Sequence, residues 1–594
     1  MTRIDALNQT WDLEAIFPGG SDSAPFAEFL GELERDIGGF GQAVRAAQAA
    51  QPDSATLQAL AVQLQSIGAR LKEAESFASC LASQDLKDRK AVALASSIRS
   101  LDAAFESGMT LFDQILTSLP DVLWEQWMKL PNLAEVDFSL TERRKLALEK
   151  LNPERESLIA DLAVDGYHGW SELYDTTVGF VQIPYEEDGR ITLLSAGQAG
   201  NKLHHPLRDV REKMFAAWEK TWGEHSDYCA SALNHLGGFR LQVYKHRGWN
   251  SVHKEPLELN RMSEETLGSM WSAVAANRTY LLDYFKKKAA LIGVPRLAWH
   301  DVEAPVGAIK TSFSYDEAAT LIVDRFRIFS PKMADFAEKA FRERWIEAAD
   351  RPNKRPGGFC TAFPLKKQTR IFMTYEGTLD NVSTLAHELG HAYHQFVMDD
   401  LPELAQDYAM NVAETASTFA EMIVSDAAIR EAGDRGTKLA LLDDKISRAV
   451  AFFMNIHARF LFETEFYKER QSGPVDAERL NGLMLAAQRE AYHDSLASYH
   501  PHFWASKLHF YITEVPFYNF PYTFGYLFSA GIYARASASG AGFERQYIDL
   551  LRDTGRMTVE SLAEKHLGAD LRKPDFWEAS VLSMKRDVEQ FLAL

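Results

Sequence analysis

Residues 378–396 read TLDNVSTLAHELGHAYHQF, and the stretch His387-Glu388-Leu389-Gly390-His391 constrains the fold more than any other feature of the chain. Two histidines four apart meet on one face when the backbone is helical, separated by roughly 6 Å of rise. Leu385, Leu389, Ala392, Tyr393 and Phe396 supply the apolar positions of such a helix, and Asp380 or Asn381 offers a cap at its start. Two imidazoles so placed converge on one ion at about 2.0–2.1 Å each, the distance that zinc takes. Glu388, about 100° round the helix, then sits beside the ion rather than on it, where a carboxylate can accept a proton from water. The competing reading is three polar residues on a solvated helix face. The motif alone arises by chance in roughly a few of every hundred chains of this length.

Hydrolytic zinc takes three protein ligands and keeps one position for water. His394 shares the stripe, but its backbone lies about 10 Å along the axis from that of His387, too far to join the set. Its expected role is packing or support of a ligand. A metzincin would carry Gly at 394 and His at 397, where this chain has His394 and Val397. The third ligand is therefore expected on another element. The helical segment 411-NVAETASTFAEMIVSDAAIRE-431 offers Glu414, and its small residues Ala413, Ala416 and Ala420 let two helices approach closely. By spacing alone Glu403 and Asp407 are also within reach. Glu421 falls on the same face as Glu414 and, with Thr418, is placed to hydrogen-bond a ligand from behind.

At 594 residues the chain exceeds an ordinary single domain, so two or more regions are expected. Helical periodicity dominates. Asp53-Ser54 precede a long helical segment from about 55 to 84, and Ser314-Tyr-Asp-Glu317 forms a capping box. In 176-TTVGFVQIPYEEDGRITLL-194 two β-rich runs flank Glu-Glu-Asp-Gly, a hairpin with Gly189 in its turn. In 352-PNKRPGGFCTAFPLKKQTRIFMTYEG-377 the Pro/Gly-rich start reads as a loop that shapes a cleft, and TRIFMTY as a strand. Thr369–Tyr375 would then offer a sheet edge to an extended peptide. The expected division is a helical N-terminal region, 1–195, ending in the hairpin, and a larger helical region with a small sheet, 196–594. A formal charge of −19 argues against a nucleic-acid partner. No run of about 18 apolar residues exists and MTRIDALNQTWDLEAIF lacks an apolar core, so neither a membrane span nor a secretory signal is expected. Cys80, Cys229 and Cys360 form no CxxC pair, which fits a reducing cytoplasm. Cys360 reads as an apolar packing residue rather than a nucleophile.

Peptide hydrolysis builds negative charge on the carbonyl oxygen, which calls for a hydrogen-bond donor near the metal. The segment 509-HFYITEVPFYNFPYTFGYLFSAGIY-533 offers His509, Tyr511, Tyr518, Tyr522 and Tyr526, and Pro516 and Pro521 break it into a loop at first. An aromatic-rich segment is more often a core element.

HELGHAYH followed by VAETASTFAE resembles the M3 peptidases, in the oligoendopeptidase F branch. IFMTYEGTLDNVSTLAHE before the motif, the aromatic block after it and the opening WDLEAIFPGGSDSAPF carry the same likeness. The resemblance implies that Glu414 is the third zinc ligand. It also implies that His509 and tyrosines among Tyr518, Tyr522 and Tyr526 bind the scissile carbonyl. It implies a mainly α fold with a small β-sheet, a zincin-like catalytic core in a two-part helical architecture enclosing a deep substrate channel. The expectation is a cytoplasmic endopeptidase acting on short unstructured oligopeptides, with one zinc ion held by His387, His391 and Glu414 and with Glu388 as general base. The alternatives are a zinc carboxypeptidase on a similar fold, or an inactive peptide-binding protein. The sequence does not specify the oligomeric state.

Overall fold

In the computed structural model, which describes residues 6–50, 52–187, 189–307, 312–539 and 542–594, apolar residues on a heptad-like repeat build the first helices. Helix α1 (Ala24–Ala50) buries Phe26, Leu33, Ile37, Phe40, Val44 and Ala47, the steps of seven, four and three that keep one stripe turned inward. Helix α2 (Ser54–Gln84) starts where expected, with the Asp53 carboxylate accepting from the Thr56 N–H at 2.8 Å. Helix α3 (Arg89–Ser118) buries Ile98, Phe105, Met109 and Phe112, and its Gly108 makes room for Phe40, whose ring would stand 3.1 Å from a Cβ there. These belong to the first of two compact units, assembled from Met1–Glu149, Thr311–Ala427 and Arg535–Gly568; the second comprises Lys150–Lys310, Ala428–Ala534 and Ala569–Leu594. Residue 195 lies inside the second unit, which the chain enters after residue 149.

In the second unit, β1 (Ile183–Glu187) and β2 (Arg190–Leu194) form the expected antiparallel hairpin, with Gly189 at φ +72°. Asp188, in the expected turn, and the first five residues lie outside the described residues. The first part of the expected β-run, up to Phe180, is helical instead. The hairpin packs on α4 (Arg208–Arg247), a 40-residue helix through this unit.

Back in the first unit, α5 (Tyr315–Phe329) begins at the Ser314–Glu317 capping box. A three-stranded sheet follows, from β3 (Ile346–Glu347), β4 (Phe359–Phe363) and β5 (Gln368–Phe372), in the order β3-β5-β4. Strand β4 runs antiparallel to β5 with Cys360 opposite Ile371, and β3 runs parallel to it. Two expectations change here. The stretch after Gly358 is a strand rather than a loop, and β5 is the central strand, so the edges are β3 and β4 rather than Thr369–Tyr375. Burial explains the exchange: Thr369 to Met373 are all within 2% of complete burial, whereas Phe359–Ala362 are half-buried. Phe363 and Phe372 share one core with α1–α3. Helix α6 (Leu379–Met398) packs on β4 and β5 and is followed by α7 (Met410–Glu431).

Further along the second unit, α8 (Ile456–Arg470) crosses α4 closely: a Cβ on Gly237 would stand 2.8 Å from the Phe466 ring. The loop from residue 511 to 519 is fastened from below. Arg240 donates to the carbonyls of Ile512 at 2.8 Å and Thr513 at 3.2 Å, and Tyr167 donates to Thr513 O at 3.0 Å. Helices α9 (Phe520–Ser539) and α10 (Phe543–Asp553) complete the elements used below. No helix among the described residues is long and apolar enough to cross a membrane.

Candidate metal centre

Helix α6 is capped by Thr378 rather than by Asp380 or Asn381. Thr378 Oγ1 accepts from the Asn381 N–H at 3.2 Å, and the Asn381 side chain accepts from the Thr378 N–H at 3.4 Å. More than two turns further in, His387 and His391 point to the same side, with their Nε2 atoms 3.1 Å apart. Glu414 of α7 completes a triangle, its Oε2 lying 3.4 Å from His387 Nε2 and 3.6 Å from His391 Nε2. Among the described residues these three form the one His/Cys/Asp/Glu group able to hold a metal ion. The triangle fits such an ion well. Four-coordinate zinc with bonds near 2.05 Å sets neighbouring ligand atoms about 3.3 Å apart, and the three edges straddle that value.

Close helix packing makes this possible. A Cβ on Gly390 would lie 2.5 Å from Ala416 O and 2.6 Å from Ser417 Cα, so the position between the two histidines has no room for a side chain. A mid-helix glycine costs roughly 1 kcal/mol against alanine, which makes it a usable sequence signal for such an approach.

The surrounding groups orient the three candidate ligands. Glu421 Oε1 accepts from His387 Nδ1 at 2.7 Å, which fixes the proton there and turns the Nε2 lone pair toward the triangle. Burial alone would lower the His387 pKa, but the Glu421 hydrogen bond and the Glu421, Glu414 and Glu388 charges lift it to about 9. Burial and the His387 charge pull His391 down to about 4. Ser417, not Thr418, carries the hydroxyl that touches a ligand: its Oγ donates to Glu414 Oε2 at 2.8 Å. Its position three residues after Glu414 on a helix was the available signal.

Glu388 is buried, and its Oε2 has no hydrogen-bond partner. An orphaned carboxylate oxygen beside a ligand triangle is what a site that receives water requires. Burial, reinforced by the charges of Glu414 and Glu421, raises its pKa to about 7. The backbone of Gly358, at the start of β4, comes against it: a Cβ there would stand 3.4 Å from Glu388 Oε1 and 3.2 Å from Phe372 O. Cys360 on β4 is free, and burial followed by the Glu388 charge pushes its thiol pKa well up, which leaves it un-ionised and a poor nucleophile.

His394 stands outside the triangle. It is buried, its Nε2 is 2.9 Å from Thr554 Oγ1, and its ring stacks on Tyr408 at 4.2 Å. Glu403 packs instead against Gly68 of α2, where a Cβ would lie 3.1 Å from its carboxylate.

Within the second unit, His509, Tyr518 and Tyr522 form a half-buried cluster, with successive ring centroids 5.2 and 5.9 Å apart. Burial, then the charges of Arg459 and Lys507, hold the His509 pKa down to about 4, so its imidazole is neutral. Tyr511 and Tyr526 do not join them. Tyr511 is buried and stacks on Tyr174 at 3.6 Å. Tyr526 is buried too, stacked on Phe452 at 4.5 Å with its hydroxyl on Met584 Sδ at 3.4 Å. A tyrosine one helical turn past Tyr522 turns into the apolar interior of α9, which is why the expected site role of Tyr526 is set aside.

Several known proteins are similar to this chain over most of its length. The model of peptidase family M3 matches residues 202–581, and that of oligopeptidase F matches 116–182. The group B oligopeptidase PepB of Streptococcus agalactiae is 25% identical over 527 residues, 86% of this chain and 85% of that protein. An oligoendopeptidase F homolog of Lactococcus lactis is 23% identical over 548 residues, 89% of this chain and 88% of that protein. Among solved structures, one from Chlamydophila abortus described as a peptidase superposes with a TM-score of 0.84 at 21% identity, covering 98% of both chains. Oligoendopeptidase F from Enterococcus faecium superposes with a TM-score of 0.71 at 18% identity, covering 96% of this chain and 98% of that one. The chain belongs to peptidase family M3, in its oligoendopeptidase F branch, and is a metallo-endopeptidase of that family.

Proposed function

We propose that the chain is a zinc-dependent endopeptidase that hydrolyses internal bonds of short, unstructured oligopeptides. The observation that carries this reading is the triangle of His387 Nε2, His391 Nε2 and Glu414 Oε2, with edges of 3.1, 3.4 and 3.6 Å, beside an unpartnered buried glutamate. Those three residues would hold one Zn2+ ion, which when bound supplies Lewis acidity and lowers the pKa of water. Glu388 takes the proton from the attacking water and returns it to the leaving amine nitrogen, a double duty suited to a carboxyl titrating near neutrality. Glu421 keeps the His387 ring in register. His509, Tyr518 and Tyr522 donate hydrogen bonds to the carbonyl oxygen as it gains charge. The peptide backbone pairs with the outer edge of β4, next to Gly358 and Glu388. The names of the relatives, oligopeptidase and oligoendopeptidase, support the substrate class. Every residue in this scheme lies in 196–594, proposed as the catalytic domain that follows a helical N-terminal region. Three free cysteines support a cytoplasmic setting.

The test is product mapping on an eight- to twelve-residue peptide blocked at both termini. Internal cleavage, read by mass spectrometry, is expected. A blocked peptide left intact beside a processed free one would replace this reading with an exopeptidase.

A further inference from the structure

Arg459 and Lys507 line a cavity of about 110 Å³ inside the second unit, walled by Phe215, Trp299, Tyr492 and Phe503. Cations held among aromatic walls are costly unless an anion accompanies them. Neither has one. Arg459 Nε donates to Asn455 Oδ1 and its Nη1 to Asn519 Oδ1, both at 2.8 Å, and both oxygens are neutral. The Lys507 ammonium makes no hydrogen bond or ion pair among the described residues. It lies over the Phe503 ring, 5.2 Å from the centroid, and the Arg459 guanidinium lies 5.0 Å from the same centroid. Two cations on one ring are no more than about 10 Å apart.

Among the lining residues the one carboxylate is Glu303, half exposed and turned toward His204, whose Nδ1 is 3.6 Å from it. The remaining histidines at the wall are otherwise engaged. His500 Nε2 accepts from Trp218 Nε1 at 3.2 Å, and His300 Nε2 lies 3.3 Å from Arg208 Nη2. One carboxylate against two cations leaves the cavity positive. Burial, then the Arg459 charge, lowers the Lys507 pKa to about 8, and the opposing charge of Glu303 offsets this only in part.

We propose that this cavity is an anion subsite that receives the C-terminal carboxylate of the peptide, held between the Arg459 guanidinium and the Lys507 ammonium. The proposal rests on the peptidase reading above and adds a determinant of which peptides are retained. A planar carboxylate matches the guanidinium fork and gains charge-assisted hydrogen bonds from both groups. The cavity has room for little more than that carboxylate and the residue bearing it. Every free peptide ends in this group whatever its sequence, so the subsite would favour short peptides without reading their side chains. An acidic side chain offers the same chemistry, and the test separates the two.

Three peptides are titrated calorimetrically into the Glu388→Gln protein, which suppresses turnover: the free acid, the C-terminal amide of the same sequence, and that amide with its last residue replaced by glutamate. The free acid is expected to bind about tenfold or more tightly than the plain amide. In the Lys507→Met, Glu388→Gln protein the acid should fall to the level of the amide, and Lys507→Arg should restore the difference. Equal binding of acid and amide overturns the proposal, as does an acid preference that survives Lys507→Met. Tight binding of the glutamate amide alone would assign the subsite to a side chain and overturn the C-terminal assignment. Turnover of a doubly blocked peptide by the protein with Glu388 intact is measured in parallel. Its loss counts against the peptidase reading, whereas the acid–amide comparison, a binding measurement, decides the subsite.

Discussion

Replacing Gly390 with alanine adds one methyl where α6 crosses α7. That carbon would lie 2.5 Å from Ala416 O, 2.6 Å from Ser417 Cα and 2.8 Å from Ala416 C. All three are backbone atoms and cannot rotate aside, so the helices must part by roughly 0.9 Å to reach ordinary contact near 3.4 Å. The ligands ride on the same segments: His391 is the next residue on α6, and Glu414 precedes Ala416 by two on α7. Zinc–ligand distances hold to about ±0.2 Å, so a displacement of several tenths of an ångström breaks the bond to Glu414. Stability is a poor readout, since overpacking costs about 1–3 kcal/mol while alanine returns about 1 kcal/mol of helix propensity. Metal affinity is the sharp one. Competition with a zinc chelator should show at least about a hundredfold weaker binding, the upper end of what loss of a mere supporting contact produces. Gly268→Ala serves as control: the position is an exposed helix interior with nothing within 4 Å of the added carbon. It should keep its zinc and gain about 0.5–1 kcal/mol. A Gly390→Ala protein with undiminished zinc affinity would refute the argument that this glycine sets the ligand triangle.

Glu414→Ala should abolish stoichiometric zinc binding while His394→Ala retains it and lowers the Tm, because His394 packs between Tyr408 and Thr554 outside the triangle. Equal zinc loss from both, by elemental analysis, would contradict the geometry. Glu421→Gln should weaken zinc about 10–100-fold without removing it, since it loosens the His387 ring rather than a bond to the ion; unchanged affinity would remove Glu421 from the account. His457 gives a pH dependence of stability. Its Nδ1 is occupied by the Arg278 Nη1–H at 2.6 Å, and burial with the Arg278 charge lowers its pKa from 6.5 to about 3. The unfolded chain therefore takes up a proton that the fold refuses, so stability is intact above 6.5 and is lost as pH falls toward 3. At pH 5 the loss is about 2 kcal/mol. Denaturation at pH 7 and pH 5 should show a larger drop for the unmutated chain than for His457→Gln, and equal drops would contradict it.

The metal helix was legible because its constraints are local: an i, i+4 histidine pair, a glutamate between and an apolar stripe all act within one turn or two. Glu414 was one of three carboxylates by spacing, and choosing it required knowing where α7 crosses α6. The crossing is set by Gly390 against Ala416 and Ser417, a contact between residues 26 and 27 apart that no periodicity encodes. The same reason hid Ser417 and Gly358. The edge strand β4 was hidden by the glycines before it, which read as a loop until the pairing with β5 is seen. In the aromatic block, composition could not tell Tyr518 and Tyr522 from Tyr511 and Tyr526. The difference lies in which way α9 and the loop before it turn their side chains, and the α4 and α8 contacts of Arg240 and Glu463 decide that loop. The interleaving of segments in the two units is likewise a property of long-range packing.

The central claim is that Glu388 acts as a base beside a metal held by other residues. Zinc content and turnover of a doubly blocked peptide, measured together for the unmutated chain and Glu388→Gln, test it most directly. The account predicts one zinc per chain in both proteins and a turnover lowered by about 10²–10⁴ in the variant. Turnover that survives the substitution with zinc in place would contradict it.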